Sequence, residues 1–214
     1  MTDLELRREI IATSLAMNEM RINRGKSGNV SARVAAGFLV TPSALAYDST
    51  QPEDVVAVSP GGEATGRRPP SSEWRFHRDI YFARSEVMAI VHAHSPFATT
   101  LACLGRGIPA FHYMIAIAGG SDIRCAPYAT FGTQELSDAA LAALTDRRAC
   151  LLANHGMIAV GDSLASALAL AVEVEALAEQ YWRALQIGEP KLLPEAEMER
   201  VLEKFRTYGR NVEQ

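Results

Sequence analysis

Two periodicities of apolar residues divide this chain into elements, one helical and one of strand type. Leu4, Ile10, Ile11, Leu15, Met17 and Met20 fall at helical spacing and predict an amphipathic helix from Asp3 to Asn23. A glycine-marked turn, Gly25-Lys26-Ser27-Gly28, then leads into a strand through Asn29-Val30-Ser31. Gly37-Phe38-Leu39-Val40-Thr41 and Val55-Val56-Ala57-Val58 read as short antiparallel strands, with turns at Pro42-Ser43 and Pro60-Gly61-Gly62. Ser71 and Ser72 open a helix to about Arg84, with Glu73 as an acid in its first turn. The run Val87-Met88-Ala89-Ile90-Val91 predicts a buried strand, followed by helices from Ser95 to Leu104 and from Thr133 to Leu144. Residues 150–153 and 157–160 form a hairpin around Asn154-His155-Gly156, and helices from Ser163 to Leu185 and from Pro194 to Thr207 end the chain. Strands bracketed by helices indicate an α/β class, with a mixed sheet covered on both faces.

Composition narrows the picture. The 214 residues are 48% hydrophobic, enough to bury a full core as a single domain over 1–214. A net charge of -4, with scattered basic residues, gives no reason to expect nucleic acid or an anionic membrane as partner. The apolar stretch Leu164 to Leu177 is interrupted by Glu173 and Glu175, which argues against a membrane span. The first residues lack the pattern of a secretion signal. Cys103, Cys125 and Cys150 stand in apolar surroundings and read as buried, reduced thiols of a cytoplasmic protein.

The chemistry concentrates at histidines. His92 and His94 sit two apart at a strand end and so point to one side, and His155 follows a second strand-like run. Two buried imidazoles on one face each need a partner, and a divalent ion satisfies both. His77 and His112 have no such company and read as an ordinary core or surface histidine. Glu73 reads by default as a dipole-favoured acid, yet beside Ser71 and Ser72 it also borders a natural anion site. Gly28-Asn29 and Thr41-Pro42-Ser43 fit ordinary turns or uncharged ligand contacts, without the spacing of a nucleotide loop. The three lysines, Lys26, Lys191 and Lys204, all lie in polar sequence. None suits a Schiff base, so stabilising a carbanion would fall to a metal.

Three longer runs extend these signals: Ser71-Ser72-Glu73-Trp74-Arg75-Phe76-His77, Ile108-Pro109-Ala110-Phe111-His112-Tyr113-Met114-Ile115, and Cys125-Ala126-Pro127-Tyr128-Ala129-Thr130-Phe131-Gly132-Thr133. With Gly28-Asn29-Val30-Ser31 and Phe205-Arg206-Thr207-Tyr208-Gly209, nearly the whole chain resembles the zinc-dependent class II sugar-phosphate aldolases. That family also includes ribulose-phosphate 4-epimerases and the adducin head domain, and these runs are most similar to its fuculose-phosphate aldolase branch.

The resemblance implies a three-layer fold whose central mixed, mostly antiparallel sheet is flanked by helices. It implies one Zn2+ per subunit, or another divalent metal, held by His92, His94, His155 and Glu73. Glu73 becomes the acid/base when substrate displaces it, and Tyr113 takes part in proton transfer. Gly28, Asn29, Thr41, Ser43, Ser71 and Ser72 correspond to a substrate-phosphate pocket. Tyr113, Phe131 and Tyr208 match aromatics reaching the site from a neighbouring subunit of a fourfold homotetramer. The implied reaction cleaves a ketose 1-phosphate such as L-fuculose 1-phosphate to dihydroxyacetone phosphate and a short aldehyde. A 5-deoxypentulose 1-phosphate, or decarboxylation of a 3-oxo-tetronate phosphate, is the alternative. The epimerase pattern fits less well, because Gly119-Gly120 stands where it needs an aspartate and no histidine follows His155. A non-enzymatic adducin-like module would lack the metal ligands. Two departures stand out: Ala44 replaces a glycine after the Thr-Pro turn, and Asn154 precedes the third ligand where histidine is frequent.

Overall fold

In a computed structural model, which describes residues 2–207, one eight-stranded sheet separates two helical layers. Its strands are β1 (Asn29–Val34), β2 (Gly37–Val40), β3 (Val56–Val58), β4 (Ala64–Thr65), β5 (Ala89–Ala93), β6 (Cys125–Ala126), β7 (Ala149–Leu152) and β8 (Gly156–Gly161), in the order β4-β3-β2-β1-β5-β8-β7-β6. Every pairing is antiparallel except β6 with β7, so the sheet is mixed and mostly antiparallel, as expected. The two-residue strands β4 and β6 are too short to carry a periodic signal and were not expected from apolar spacing.

Alternation along the strands sorts side chains to the two layers. Ala89, Val91 and Ala93 of β5, with Met157 and Ala159 of β8, pack against α1 (Asp3–Glu19), α3 (Pro96–Cys103) and α5 (Leu164–Ile187). Ile90, Ile158 and Val160 face α2 (Trp74–Ala83) and α4 (Gln134–Ala143). A last helix, α6 (Glu195–Thr207), joins the first layer through Met198. Among the described residues no helix is long and apolar enough to cross a membrane.

Helix ends depart from expectation in informative places. Helix α1 stops at Glu19 rather than Asn23. Arg21 turns left-handed (φ 61°), and the Ile22 and Arg21 N–H groups donate back to the Met17 and Asn18 carbonyls. This closure normally advertises itself by a glycine, which is absent here. Helix α2 begins at Trp74, one residue after Glu73, so Glu73 is the N-cap residue and not a first-turn acid. Its carboxylate does not cap the helix; it points elsewhere. Glu175 of α5 explains why a charge interrupts an apolar helix. Its carboxylate accepts the Phe97 and Ala98 N–H groups at the start of α3, each at 2.8 Å. The N-cap Ser95 makes no side-chain cap there, so α3 is capped from another helix.

Candidate metal centre

Strand β5 carries His92 on the same face as Ile90, toward α2, where its ring meets the Phe76 ring edge-on at 5.5 Å. His94 lies just past the strand end. His155 sits in the β7–β8 turn, where Asn154 is left-handed (φ 55°), a conformation that asparagine tolerates better than most residues. Glycine is required next: a Cβ on Gly156 would stand 2.5 Å from the Ala93 carbonyl oxygen and 2.9 Å from the His94 ring. The strand-end spacing thus delivers all three imidazoles, and the start of α2 delivers Glu73.

The rings of His92, His94 and His155 are pairwise 4.9 Å apart between centroids and close to perpendicular. One nitrogen from each ring and a Glu73 oxygen all lie within 4.8 Å of one another. His92 Nε2 is 3.1 Å from both His94 Nε2 and Glu73 Oε2, and His155 Nε2 is 3.1 Å from Glu73 Oε1. Donors about 2.0–2.1 Å from a tetrahedral ion stand roughly 3.3 Å apart, so these separations match such an edge. Glu73 Oε1 is buried without a hydrogen-bond partner, a defect that a cation removes. His92 Nδ1 donates to the Met157 carbonyl at 2.8 Å, which leaves the Nε2 lone pair aimed into the centre. The residues present therefore fit a divalent ion.

Electrostatics agree with that reading. Burial works to raise the Glu73 carboxyl, but the His92 and His155 imidazoles beside it outweigh burial and hold it well below the ordinary range. Burial and the neighbouring His92 and His155 push His94 down to about 3. For His92, burial acts downward and the adjacent Glu73 carboxylate reverses it, so its proton is held more tightly than usual. The cluster thus offers an anionic carboxylate and the lone pair of a neutral His94, while the proton that Glu73 favours on His92 is the one a bound cation would displace.

Around the centre lies a cleft of about 270 Å³. Glu73, His94 and His155 form its floor, with Ser27, Ser72 and Asn154 at the polar rim and Tyr128, Ala129 and Phe131 as an apolar wall. Ser27, Tyr128 and Ala129 were not singled out from the sequence. The wall belongs to the 127–133 loop, which Arg75 ties to the start of α2 by donating to the Gly132 carbonyl at 2.7 Å. Phe131, matched to an aromatic that enters from a neighbour, lines the cleft of its own chain. Tyr113 is half-exposed at the start of a 3-10 helix (Tyr113–Ala118) and is not in that lining. Tyr208 lies outside the described residues.

The expected phosphate residues come together, with changed detail. The Ser71 N–H donates to the Thr41 carbonyl, the Thr41 hydroxyl accepts from the Val30 N–H, and the Ser43 N–H donates to the Pro69 carbonyl. Ser72 is exposed to the cleft, while the Ser71 hydroxyl accepts the Glu73 N–H at 3.3 Å. Gly28 makes its close approach to protein: a Cβ there would lie 2.5 Å from the His92 carbonyl oxygen, and the Tyr47 hydroxyl donates to the Gly28 carbonyl. The Asn29 amide is engaged with Glu73 and His77. His77 is, as its default reading had it, a fully buried hydrogen-bonded histidine. His112 caps the 3-10 helix by accepting the Met114 N–H. Of the cysteines only Cys150 is fully buried; Cys103, at the outer end of α3, is exposed, which corrects the expectation.

A mixed sheet between helical layers, with three imidazoles at its strand ends and a carboxylate from the start of α2, fits a metal-assisted enzyme class, and comparison with known proteins agrees. Residues 8–182 match the family described as Class II Aldolase and Adducin N-terminal domain. The chain is 58% identical over 210 residues to a 5-methylthioribulose-1-phosphate/5-deoxyribulose-1-phosphate aldolase of Rhodospirillum rubrum, covering 98% of this chain and 95% of that protein. It is 46% identical to the L-fuculose phosphate aldolase of Escherichia coli K12, covering 98% of each. A solved L-fuculose 1-phosphate aldolase superposes with a TM-score of 0.92 at 41% identity, over 94% of this chain and 96% of that one. The chain belongs to the class II aldolase and adducin family. Within it, it is an aldolase, a carbon–carbon lyase that uses a divalent metal.

Proposed function

We propose that this aldolase binds one zinc ion per chain through Glu73, His92, His94 and His155. Its reaction is the reversible cleavage of a ketose 1-phosphate to dihydroxyacetone phosphate and a short aldehyde. The observation that carries this reading is the convergence of three imidazoles and a carboxylate beside a cleft that, among the described residues, has no lysine or arginine in its lining. With no lysine there for a Schiff base, carbanion stabilisation falls to the metal. A divalent cation, when bound, supplies the positive charge that stabilises the enediolate left by bond cleavage.

The residues of the chain divide the remaining work. Cleavage of the C3–C4 bond leaves its electron pair on C3, and Glu73 delivers the proton that this carbon takes up. In the synthetic direction Glu73 removes that proton. Tyr113 takes the C4 hydroxyl proton, entering from a neighbouring copy in a fourfold tetramer; the exposure of Tyr113 outside its own cleft supports that assignment. Ser71, Ser72, Thr41, Ser43 and the Gly28-Asn29 segment hold the phosphate, remote from the reacting bond, and so fix orientation. The apolar wall of Tyr128, Ala129 and Phe131 suits a methyl or methylthio end on the aldehyde half. All three candidate substrates end in such a group, so the preference for 5-deoxyribulose 1-phosphate or 5-methylthioribulose 1-phosphate over L-fuculose 1-phosphate rests on the 58% and 46% identities to the respective relatives. Three unpaired cysteines fit a cytoplasmic setting.

The test is a panel of these three ketose phosphates, assayed before and after complete metal removal. The 5-deoxy or 5-methylthio substrate is expected to show the highest kcat/KM, with activity lost on chelation and restored by zinc. Cleavage that persists in metal-free protein defeats the reading.

A further inference from the structure

Helix α2 and strand β1 face one another with matched polar stripes. Glu73, His77 and Tyr81 recur every four residues on one side of the helix, and Asn29 and Ser31 recur every two on one side of the strand. Where they meet, four buried contacts run in series. The Tyr81 hydroxyl is 2.8 Å from Ser31 Oγ, which is 2.7 Å from His77 Nδ1. His77 Nε2 is 2.6 Å from Asn29 Oδ1, and Asn29 Nδ2 is 2.9 Å from Glu73 Oε2. Ser31 and His77 are fully buried, Asn29 is 3% exposed and Tyr81 5%.

The direction of every hydrogen follows from the last link. An ionised carboxylate only accepts, so Asn29 turns its amide N–H toward Glu73 and its carbonyl oxygen away. That oxygen also only accepts, so His77 carries its hydrogen on Nε2. Nδ1 of the neutral ring then accepts from the Ser31 hydroxyl, whose oxygen accepts from Tyr81. All the donors point toward Glu73. An asparagine amide alone has a broad terminal torsion; a buried N–H at 2.6 Å from its oxygen leaves one orientation.

We infer that His77 is a positioning residue for the aldolase reaction, locking the Asn29 amide so that the Glu73 carboxylate is held at a fixed angle to the imidazole cluster. The inference rests on the reading of Glu73 as metal ligand and acid/base. It extends that reading to a side chain that touches neither metal nor substrate.

Three variants test it: His77→Phe removes both ring hydrogen bonds, His77→Gln keeps an N–H within reach of Asn29, and Ser31→Ala breaks the chain farther out. Zinc affinity is measured by chelator competition, alongside kcat, KM and the thermal midpoint. Outer-shell partners of metal ligands typically govern affinity or activity by about 10–100-fold. The folded His77→Phe protein is therefore expected to lose that much in both zinc affinity and kcat, with KM changing by less than about threefold. His77→Gln should recover most of both losses. A folded His77→Phe protein within about twofold of wild type in both quantities overturns the inference. So does a His77→Gln protein as impaired as His77→Phe, since His77 would then be a packing residue only. If His77→Phe does not fold, Ser31→Ala decides: weaker zinc binding and slower turnover support the inference, and wild-type values overturn it. The zinc measurement needs no substrate, so it separates a failure of this inference from a failure of the substrate assignment.

Discussion

Asn29 stands directly opposite His92 across the β1–β5 ladder, and its amide donates to the carboxylate that His92 also touches, at 2.9 Å and 3.1 Å respectively. Directly opposed residues in a ladder share a face of the sheet. One imidazole of the cluster and the side chain that holds its carboxylate are thus fixed by one register. The orientation of Glu73 is a property of the sheet, while its charge is a property of the cluster.

Replacing Glu73 with Gln separates these contributions. The amide keeps the shape but removes the charge and the capacity to exchange a proton. Zinc is expected to remain at one per chain with affinity reduced by about 10–100-fold. Turnover at saturating metal should fall by about 10²–10⁴-fold. Metal analysis alongside steady-state kinetics checks this, and near wild-type turnover would remove Glu73 from proton transfer.

Gly156 tests the geometry from the backbone side. A methyl group there would meet the Ala93 carbonyl at 2.5 Å and the His94 ring at 2.9 Å, so one of them has to move. Gly156→Ala is expected to destabilise the fold by about 1–3 kcal/mol, the usual range for overpacking. It should also weaken zinc binding by displacing His94. Urea unfolding and chelator competition measure the two effects.

Ala44 adopts a left-handed backbone (φ 59°) at the position where the resemblance placed a glycine. Left-handed backbone costs a residue with a Cβ about 1–2 kcal/mol, partly offset by the greater freedom of glycine in the unfolded chain. Ala44→Gly should therefore stabilise the protein by roughly 0.5–1 kcal/mol, visible as a higher thermal midpoint. Lys26 donates to the Ala44 carbonyl at 2.9 Å, and that contact does not depend on the side chain replaced.

Asp54 gives a pH signature. The Arg67 guanidinium, helped by the Gln51 N–H and Arg68, outweighs burial and holds its carboxyl well below the ordinary range. A carboxyl whose pKa is depressed on folding adds stability that is complete above the unfolded value, about 3.9, and is lost as pH falls through the folded value. Wild type should therefore exceed Asp54→Asn in urea midpoint at pH 7, with the difference shrinking below about pH 4. Both arginines are about half exposed, at 52% and 49%, so added salt should narrow the difference as well.

Much of this arrangement was legible from residue spacing. Two histidines at i and i+2 on a strand end, and a third in a hairpin, needed only the period of a strand to be read as converging. The helical layers followed from apolar periodicity. What escaped depends on contacts between segments far apart in sequence. The closure of α1 at Arg21 uses a left-handed residue that is not glycine, and the tertiary cap on α3 comes from Glu175, so neither leaves a local mark. The stripe of Glu73, His77 and Tyr81 was present at regular spacing, but His77 taken singly read as an ordinary core histidine and Tyr81 carried no signal of its own. Only the opposing Asn29 and Ser31 give the stripe a meaning. The cleft wall at Tyr128 and Ala129 comes from an irregular loop, where no periodicity operates; its Phe131 was reached only through the family resemblance.

The cap that Glu175 places on α3 also bears on how the protein is made. The backbone of Phe97, shortly after His94, is held by a carboxylate 78 positions farther along the chain. During synthesis the third imidazole of the cluster, His155, is translated before that anchor is available. A nascent chain with all four cluster residues emerged would still lack that brace until α5 docks, so secure retention of a bound ion should come late in maturation, after the long helix is in place.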